Sequence, residues 1–109
     1  MAAYVIEQKD HRGSVKLTGD LTAILVPDLQ ASLKTLLHSG VREVEFDLDS
    51  AAMLDSSGMG LLIASANSLA HSGGSVRVIN VCPDIFRLLQ SMRLTARLNV
   101  SAKPEAKPE

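Results

Sequence analysis

The stretch VEFDLDSAAMLDSSGMGLLIA, residues 44–64, changes its period midway. Val44, Phe46 and Leu48 alternate with Glu43, Glu45 and Asp47, which predicts a strand over 41–49 with one wet face, or a face capped by polar helix edges. From Met59 to Ser72 the pattern is helical, with Leu62, Ile63, Ala66, Leu69 and Ala70 recurring, and it stops at Gly73-Gly74. Between the two lie an acid, two hydroxyls and a glycine, Asp55-Ser56-Ser57-Gly58. A strand handing over to a helix through a short loop is the repeating unit of an α/β domain.

Working outward, the same unit recurs on both sides. Upstream, Tyr4-Val5-Ile6 and SVKLTG (14–19) read as two strands of a hairpin, turning at His11-Arg12-Gly13. PDLQASLKTLLHSG then places Leu29, Leu33, Leu36 and Leu37 on one helical face, with Pro27 suited to the first helical position and Gly40 to the stop. Downstream, SVRVINV (75–81) is a compact β-branched strand. A third helix starts at Pro83 with Ile85, Leu88, Leu89 and Met92 inward, and ARLNV (96–100) is a short closing strand. The order ββαβαβαβ implies a single α/β domain over residues 1–100, with about three helices on a mixed four- to five-stranded sheet whose later strands are parallel. KPEAKPE, a twice-repeated Lys-Pro-Glu, predicts an extended, disordered tail over 101–109.

The 109 residues suffice for one domain, and 46% hydrophobic with 3% aromatic content implies an aliphatic core. A formal charge of −1 offers no overall attraction to nucleic acid or anionic lipid, and aromatic stacking platforms are missing. The single cysteine, Cys82, excludes an internal disulfide and reads as a core or cap thiol at the start of the third helix. Arg87 and Arg93 read as a solvated helix face. No apolar run approaches the roughly 18–20 residues that span a bilayer, and the first residues carry charge without an apolar leader core. The expectation is a soluble, cytoplasmic domain without membrane insertion.

Catalytic readings of the central stretch fail one by one. A nucleophile elbow needs Gly-x-Ser-x-Gly, and Leu54 stands where the first glycine would precede Ser56. The three histidines, His11, His38 and His71, fall at a hairpin turn and two helix ends, away from the serines. Gly58-Met59-Gly60 opens a helix as a dinucleotide fingerprint would, yet Ile63 occupies the third glycine position and no phosphate loop exists. Gly58 and Gly60 are better read as allowing tight helix–sheet approach. Asp47, Asp49 and Asp55 lack metal-loop spacing. No catalytic residue, metal site or cofactor is expected. What remains is a helix start, where Asp and Ser satisfy orphan N–H groups. A capping role alone accounts for these residues. Phosphorylation there, adding about −1.5 to −2 charge at a helix N-terminus beside Asp55 and Met59, would instead make a surface switch.

At these residues the chain resembles the STAS domains, specifically the bacterial anti-sigma factor antagonists. LTGDL (17–21) is similar to that family's Leu-x-Gly-[Glu/Asp]-Leu, and Asp55-Ser56-Ser57-Gly58-Met59-Gly60 to its Asp-Ser-Ser-Gly-Leu-Gly within VEFDLDSAAMLDSSGMGLL. Gly73-Gly74 before SVRVINV and PDIFRLLQSMRLTARLNV (83–100) complete the likeness, which covers nearly all of residues 4–100.

The resemblance implies a non-enzymatic anti-sigma factor antagonist in a partner-switching pathway. Its partners would be an anti-sigma factor that is also a serine kinase, phosphorylating Ser56, and a metal-dependent serine phosphatase that reverses it. The contacts it implies are Leu54 and Asp55, then Ser57, Gly58 and Met59, with Leu62 and Asn67 further along. Where many members carry Asp, this chain has Thr22, followed by apolar Ala23, Ile24 and Leu25. That loop is either packed on the helix at 29–38 or an apolar partner patch including Thr22 and Ile24. The alternative is a STAS subunit of an ABC-type lipid transporter, docking onto its ATPase through the Thr22–Val26 loop. A monomer or weak dimer is expected in either case.

Overall fold

A computed structural model describes residues 3–104. Strands β1 (Tyr4–Lys9) and β2 (Arg12–Leu17) form a hairpin, but it turns at Asp10-His11, with Asp10 in the left-handed region at φ 56°, and Arg12 and Gly13 pair within the strands rather than forming the turn. Then follow α1 (Val26–His38), β3 (Glu43–Asp47), α2 (Ser56–His71), β4 (Ser75–Val81), α3 (Pro83–Ser91) and β5 (Val100–Ala102). The five strands lie side by side in chain order, with β1 antiparallel to β2 and every later pair parallel. Because the order never reverses, right-handed crossovers bring all three connecting helices to the same face.

That one-sided layering sets the burial. Val15, Leu17, Val44, Phe46, Val76 and Val78 point toward the helices and are buried, meeting Leu29, Leu33 and Leu36 of α1, Leu61, Leu62 and Leu69 of α2, and Ile85 and Leu89 of α3. Phe46 is the sole aromatic among the fully buried side chains, so the core is aliphatic around one ring. Tyr4 seals the top of the β1–α1 contact: its hydroxyl donates to Oδ2 of Asp28 at 2.8 Å and lies 2.6 Å from Oγ of Ser32. The alternate strand residues Lys16, Glu43 and Arg77 are exposed on the uncovered face, as the alternation in 43–47 required.

Further details depart from the sequence-based expectation. Helix α2 begins at Ser56, three residues before Met59, because Asp55 caps it there. The pattern also missed Leu61 and Ser65, both buried, and Ser65 offsets its burial by donating to the Leu61 carbonyl at 2.9 Å. Met92 follows the end of α3 and is 54% exposed rather than inward. Residues 96–99 do not form a strand. Bonds from Leu98 N–H to the Leu94 carbonyl (3.0 Å) and from Val100 N–H to the Thr95 carbonyl (2.9 Å) wind this segment into a turn that drops Leu98 into the core.

The closing strand therefore runs past residue 100. Ser101 and Ala102 lie in β5, and Lys103 donates its N–H to the Val81 carbonyl at 2.8 Å. Of the stretch expected as a disordered tail, residues 105–109 lie outside the described residues.

Phe46→Ala removes the only large ring at the centre of this core, and replacements of this kind cost about 3–5 kcal/mol. Against a total stability of about 5–15 kcal/mol for a domain this size, the expected outcome is a large drop in the urea midpoint with little change in slope. An unchanged midpoint would remove Phe46 from the centre of the core.

Candidate functional site

The carboxyl ends of parallel strands collect the loops that lead into the helices, so the β2–α1 and β3–α2 loops emerge side by side. They are joined like a short two-stranded ribbon. Leu21 N–H donates to the Met53 carbonyl at 3.1 Å, Asp55 N–H donates to the Leu21 carbonyl at 3.3 Å, and Leu21 bridges Leu54 in parallel. Buried Leu21 and Leu54 anchor this ribbon to the core.

Two carboxylates hold the ribbon from either end. Asp20 Oδ1 accepts from Ala52 N–H at 2.8 Å and from Met53 N–H at 3.0 Å. Asp55 divides its oxygens: Oδ1 caps α2 by accepting from Gly58 N–H, and Oδ2 accepts from Ala23 N–H across the loop pair, both at 2.9 Å. Such caps satisfy donors that a helix start leaves orphaned. The bond from Gly58, and next that from Ala23, hold the Asp55 carboxyl below the usual carboxylate range despite an opposing effect of burial. A third acid, Asp47, accepts from Asp49 N–H at 2.9 Å and from Asn80 Nδ2 at 3.1 Å, steadying the start of the β3–α2 loop.

The residues proposed from sequence separate into support and surface. Leu54 is 6% exposed and packs inward. Gly58 is buried, and a Cβ there would lie 2.5 Å from the Leu21 carbonyl oxygen. Gly58 thus has the tight-approach role expected of it, whereas Gly60 does not: nothing lies within 4 Å of a Cβ built on it. Leu62, further along α2, is fully buried and unavailable to a partner; Asn67 is exposed and accepts a hydrogen bond from Arg97.

Ser56 and Ser57 are exposed at the first two positions of α2, with half-buried Asp55 before them and half-buried Met59 after. The Thr22–Val26 loop takes neither of its two readings whole. Leu25 and Val26 pack against the core, Thr22 is half-buried, and Ile24 is 94% exposed. Sequence reasoning missed Met53, 57% exposed across the ribbon, because it stands in an apolar run that reads as interior. It also missed Asp20, whose partners lie 32 and 33 residues away and leave no local signal.

The result is an exposed platform with two serine hydroxyls, two carboxylates and two exposed apolar side chains, Ile24 and Met53. Among the described residues, no group of three or more His, Cys, Asp or Glu side chains is placed to hold a metal ion. Cys82 stands at the N-cap of α3 without a side-chain cap bond, and Arg87 pairs with Asp84 at 2.6 Å on the outside of that helix. Among the described residues, no helix is long and apolar enough to cross a membrane.

Residues 5–100 match the family described as "Mlab, STAS domain". The anti-sigma-B factor antagonist of Staphylococcus aureus is 26% identical over 91 residues, an alignment covering 84% of each chain. Two solved structures share the fold. The SpoIIAA cell fate determinant of Bacillus, in its phosphorylated form, superposes with a TM-score of 0.75 at 21% identity, covering 92% of this chain and 91% of its own. An anti-sigma factor antagonist from Mycobacterium paratuberculosis gives 0.79 at 18% identity, covering 90% and 83%.

Asp55→Asn keeps one acceptor for Gly58 but presents an N–H₂ where Ala23 needs a second. A carboxyl whose folded pKa is lowered stabilises the fold fully above its unfolded value of about 3.9 and loses that contribution as pH falls through the lowered value. The variant should therefore be less stable than wild type at pH 7, with the gap narrowing below about pH 4. Denaturant midpoints across pH 2–7 measure this, and a pH-independent gap would contradict the two-oxygen clamp.

Proposed function

The chain belongs to the STAS domain family, and we propose that within it this protein is an anti-sigma factor antagonist switched by phosphorylation of Ser56. The observation that carries this reading is the placement of Ser56: an exposed hydroxyl at the first position of α2, beside a capping carboxylate and bordered by exposed Ile24 and Met53. The name borne by the Staphylococcus aureus relative supports it.

In the unmodified state, the apolar atoms of Ile24, Met53 and Met59, with Thr22, Asp55 and Ser57 around them, form the surface that meets an anti-sigma factor. Leu54 and Gly58 hold that surface in shape from beneath. A kinase reaches the Ser56 hydroxyl from solvent, and the α2 N-terminus tolerates the added charge. The fold then stands while the surface gains negative charge. Two added negative charges beside Asp55 oppose an apolar or acidic partner, weakening association without any change in the core. A metal-dependent serine phosphatase restores the hydroxyl. The protein itself catalyses nothing and works in the cytoplasm, where such regulators meet their kinase.

The near-complete exposure of Ile24 also suits a second reading, a transporter subunit seated on its ATPase. The two differ in one outcome, since only the first makes Ser56 chemistry control binding.

Incubation with its cognate anti-sigma kinase and ATP should place one phosphate on wild type and none on Ser56→Ala. Ser56→Asp should bind that partner at least about tenfold more weakly, a change of about 1.4 kcal/mol. Ile24→Asp should also weaken binding while leaving the unfolding midpoint unchanged, as its side chain is 94% exposed. Phosphorylation of Ser56→Ala at the wild-type rate, or wild-type affinity of Ser56→Asp, would end this reading.

A further inference from the structure

The uncovered face of the sheet carries a pattern that the switch does not use. Largely parallel sheets are normally covered on both faces, yet here every helix lies on one side. Strand register fixes where the outward side chains stand. Across β1, β2, β3 and β4, one row reads Val5, Lys16, Asp47, Ile79; the next reads Glu7, Ser14, Glu45, Arg77; the third reads Lys9, Arg12, Glu43, Ser75. Four of these side chains are basic and four acidic. The basic ones of β2, Lys16 and Arg12, form a column beside the acidic column of β3. Within one chain the pairs are loose: Arg12 to Glu43 is 3.6 Å and Arg77 to Glu45 is 3.7 Å, all four side chains being at least 38% exposed.

We propose that this face binds a second copy of the same chain, about a two-fold axis running along the strands above the β2–β3 boundary. Such an axis keeps each row at its level and exchanges β2 with β3 and β1 with β4. Lys16 then meets the second copy's Asp47, Arg12 its Glu43, Ser14 its Glu45, Glu7 its Arg77, and Val5 its Ile79. Each contact occurs twice, as isologous symmetry demands. All three charged contacts join opposite signs, and the remaining exposed apolar residue of the face, Val5 at 47%, meets an apolar partner. An axis crossing the strands instead sets Lys16 against Arg12 and Glu45 against itself, so the charge pattern selects the first arrangement and penalises the second.

The association is weak and salt-sensitive by construction. Four strands about 4.8 Å apart and five residues long make a footprint smaller than the standard ~800 Å² per partner, and exposed ion pairs contribute about 0–1 kcal/mol each. Two sheets meeting face to face at about 10 Å leave both copies of Ser56, at the α2 start on the helix side, open to partners. The inference is thus independent of what Ser56 binds.

Sedimentation equilibrium of the full chain at 10 µM to 1 mM tests it. Reversible dimer is expected in 20 mM NaCl, with its dissociation constant rising at least tenfold in 500 mM NaCl. Glu7→Arg alone and Arg77→Glu alone should each weaken self-association at least tenfold, whereas an equimolar mixture of the two variants should associate at least as tightly as wild type. In that mixture both altered contacts again join opposite charges. Circular dichroism of each variant establishes that it is folded. Wild type that stays monomeric in low salt, as it would if the chain's own C-terminal residues covered the face, overturns the proposal. So does a dimer indifferent to Glu7→Arg, or a mixture that associates no better than its components.

Discussion

The carboxylates of Asp20 and Asp55 are the constraint on which the rest of this surface depends. The loops after β2 and β3 leave the sheet with unsatisfied backbone N–H groups, and a loop of that kind is ordinarily mobile. Here Asp20 takes two of those donors from the β3–α2 loop, while Asp55 takes one from its own helix and one from the neighbouring loop. The two loops become a single ribbon with Leu21 and Leu54 as its buried underside. Its upper side can then display Ile24, Met53 and Ser56 in a fixed relation. A bulky apolar side chain is held in solvent because the backbone beneath it has no freedom to bury it.

This arrangement also explains why the site behaves as a surface rather than as a cavity. The sequential strand order gives the sheet no topological switch point, and hence none of the crevice in which α/β proteins usually hold small ligands. What the strand ends offer instead is a helix N-terminus beside the loop ribbon. Phosphorylation of Ser56, as proposed, would add about −1.5 to −2 charge to this exposed surface. The uncovered face of the sheet, away from this ribbon, carries a basic column on β2 beside an acidic column on β3.

Much of this was legible in the sequence, and the exceptions have specific causes. Helix α1 could be placed because Leu29, Leu33 and Leu36 keep strict helical spacing, and β3 because Val44 and Phe46 alternate with acids. The start of α2 was set late because Ser57 and Gly58 are weak helix formers, and only the cap by Asp55 brings them into the helix. The turn over 96–99 was readable as a strand only from the Leu98–Val100 alternation, although the residue types of Ala96 and Asn99 are depleted in strands; local bonds wind it and Leu98 is drawn inward by the core. The sides of Ile24 and Leu25 could not be told apart, as a loop has no period. Asp20 read as one residue of a loop motif because its role exists only between segments some thirty residues apart.

On the proposed function, the ribbon is a preformed platform whose chemistry changes while its shape does not. Two-dimensional ¹H–¹⁵N spectra of the protein synthesised with serine or with phosphoserine at position 56 test it most directly. Amide shift changes are expected to be confined to residues 20–25 and 52–60, with the amides of Val44, Phe46, Val76 and Val78 unmoved. Shift changes spread through those core strands, or a loss of dispersion, would contradict it.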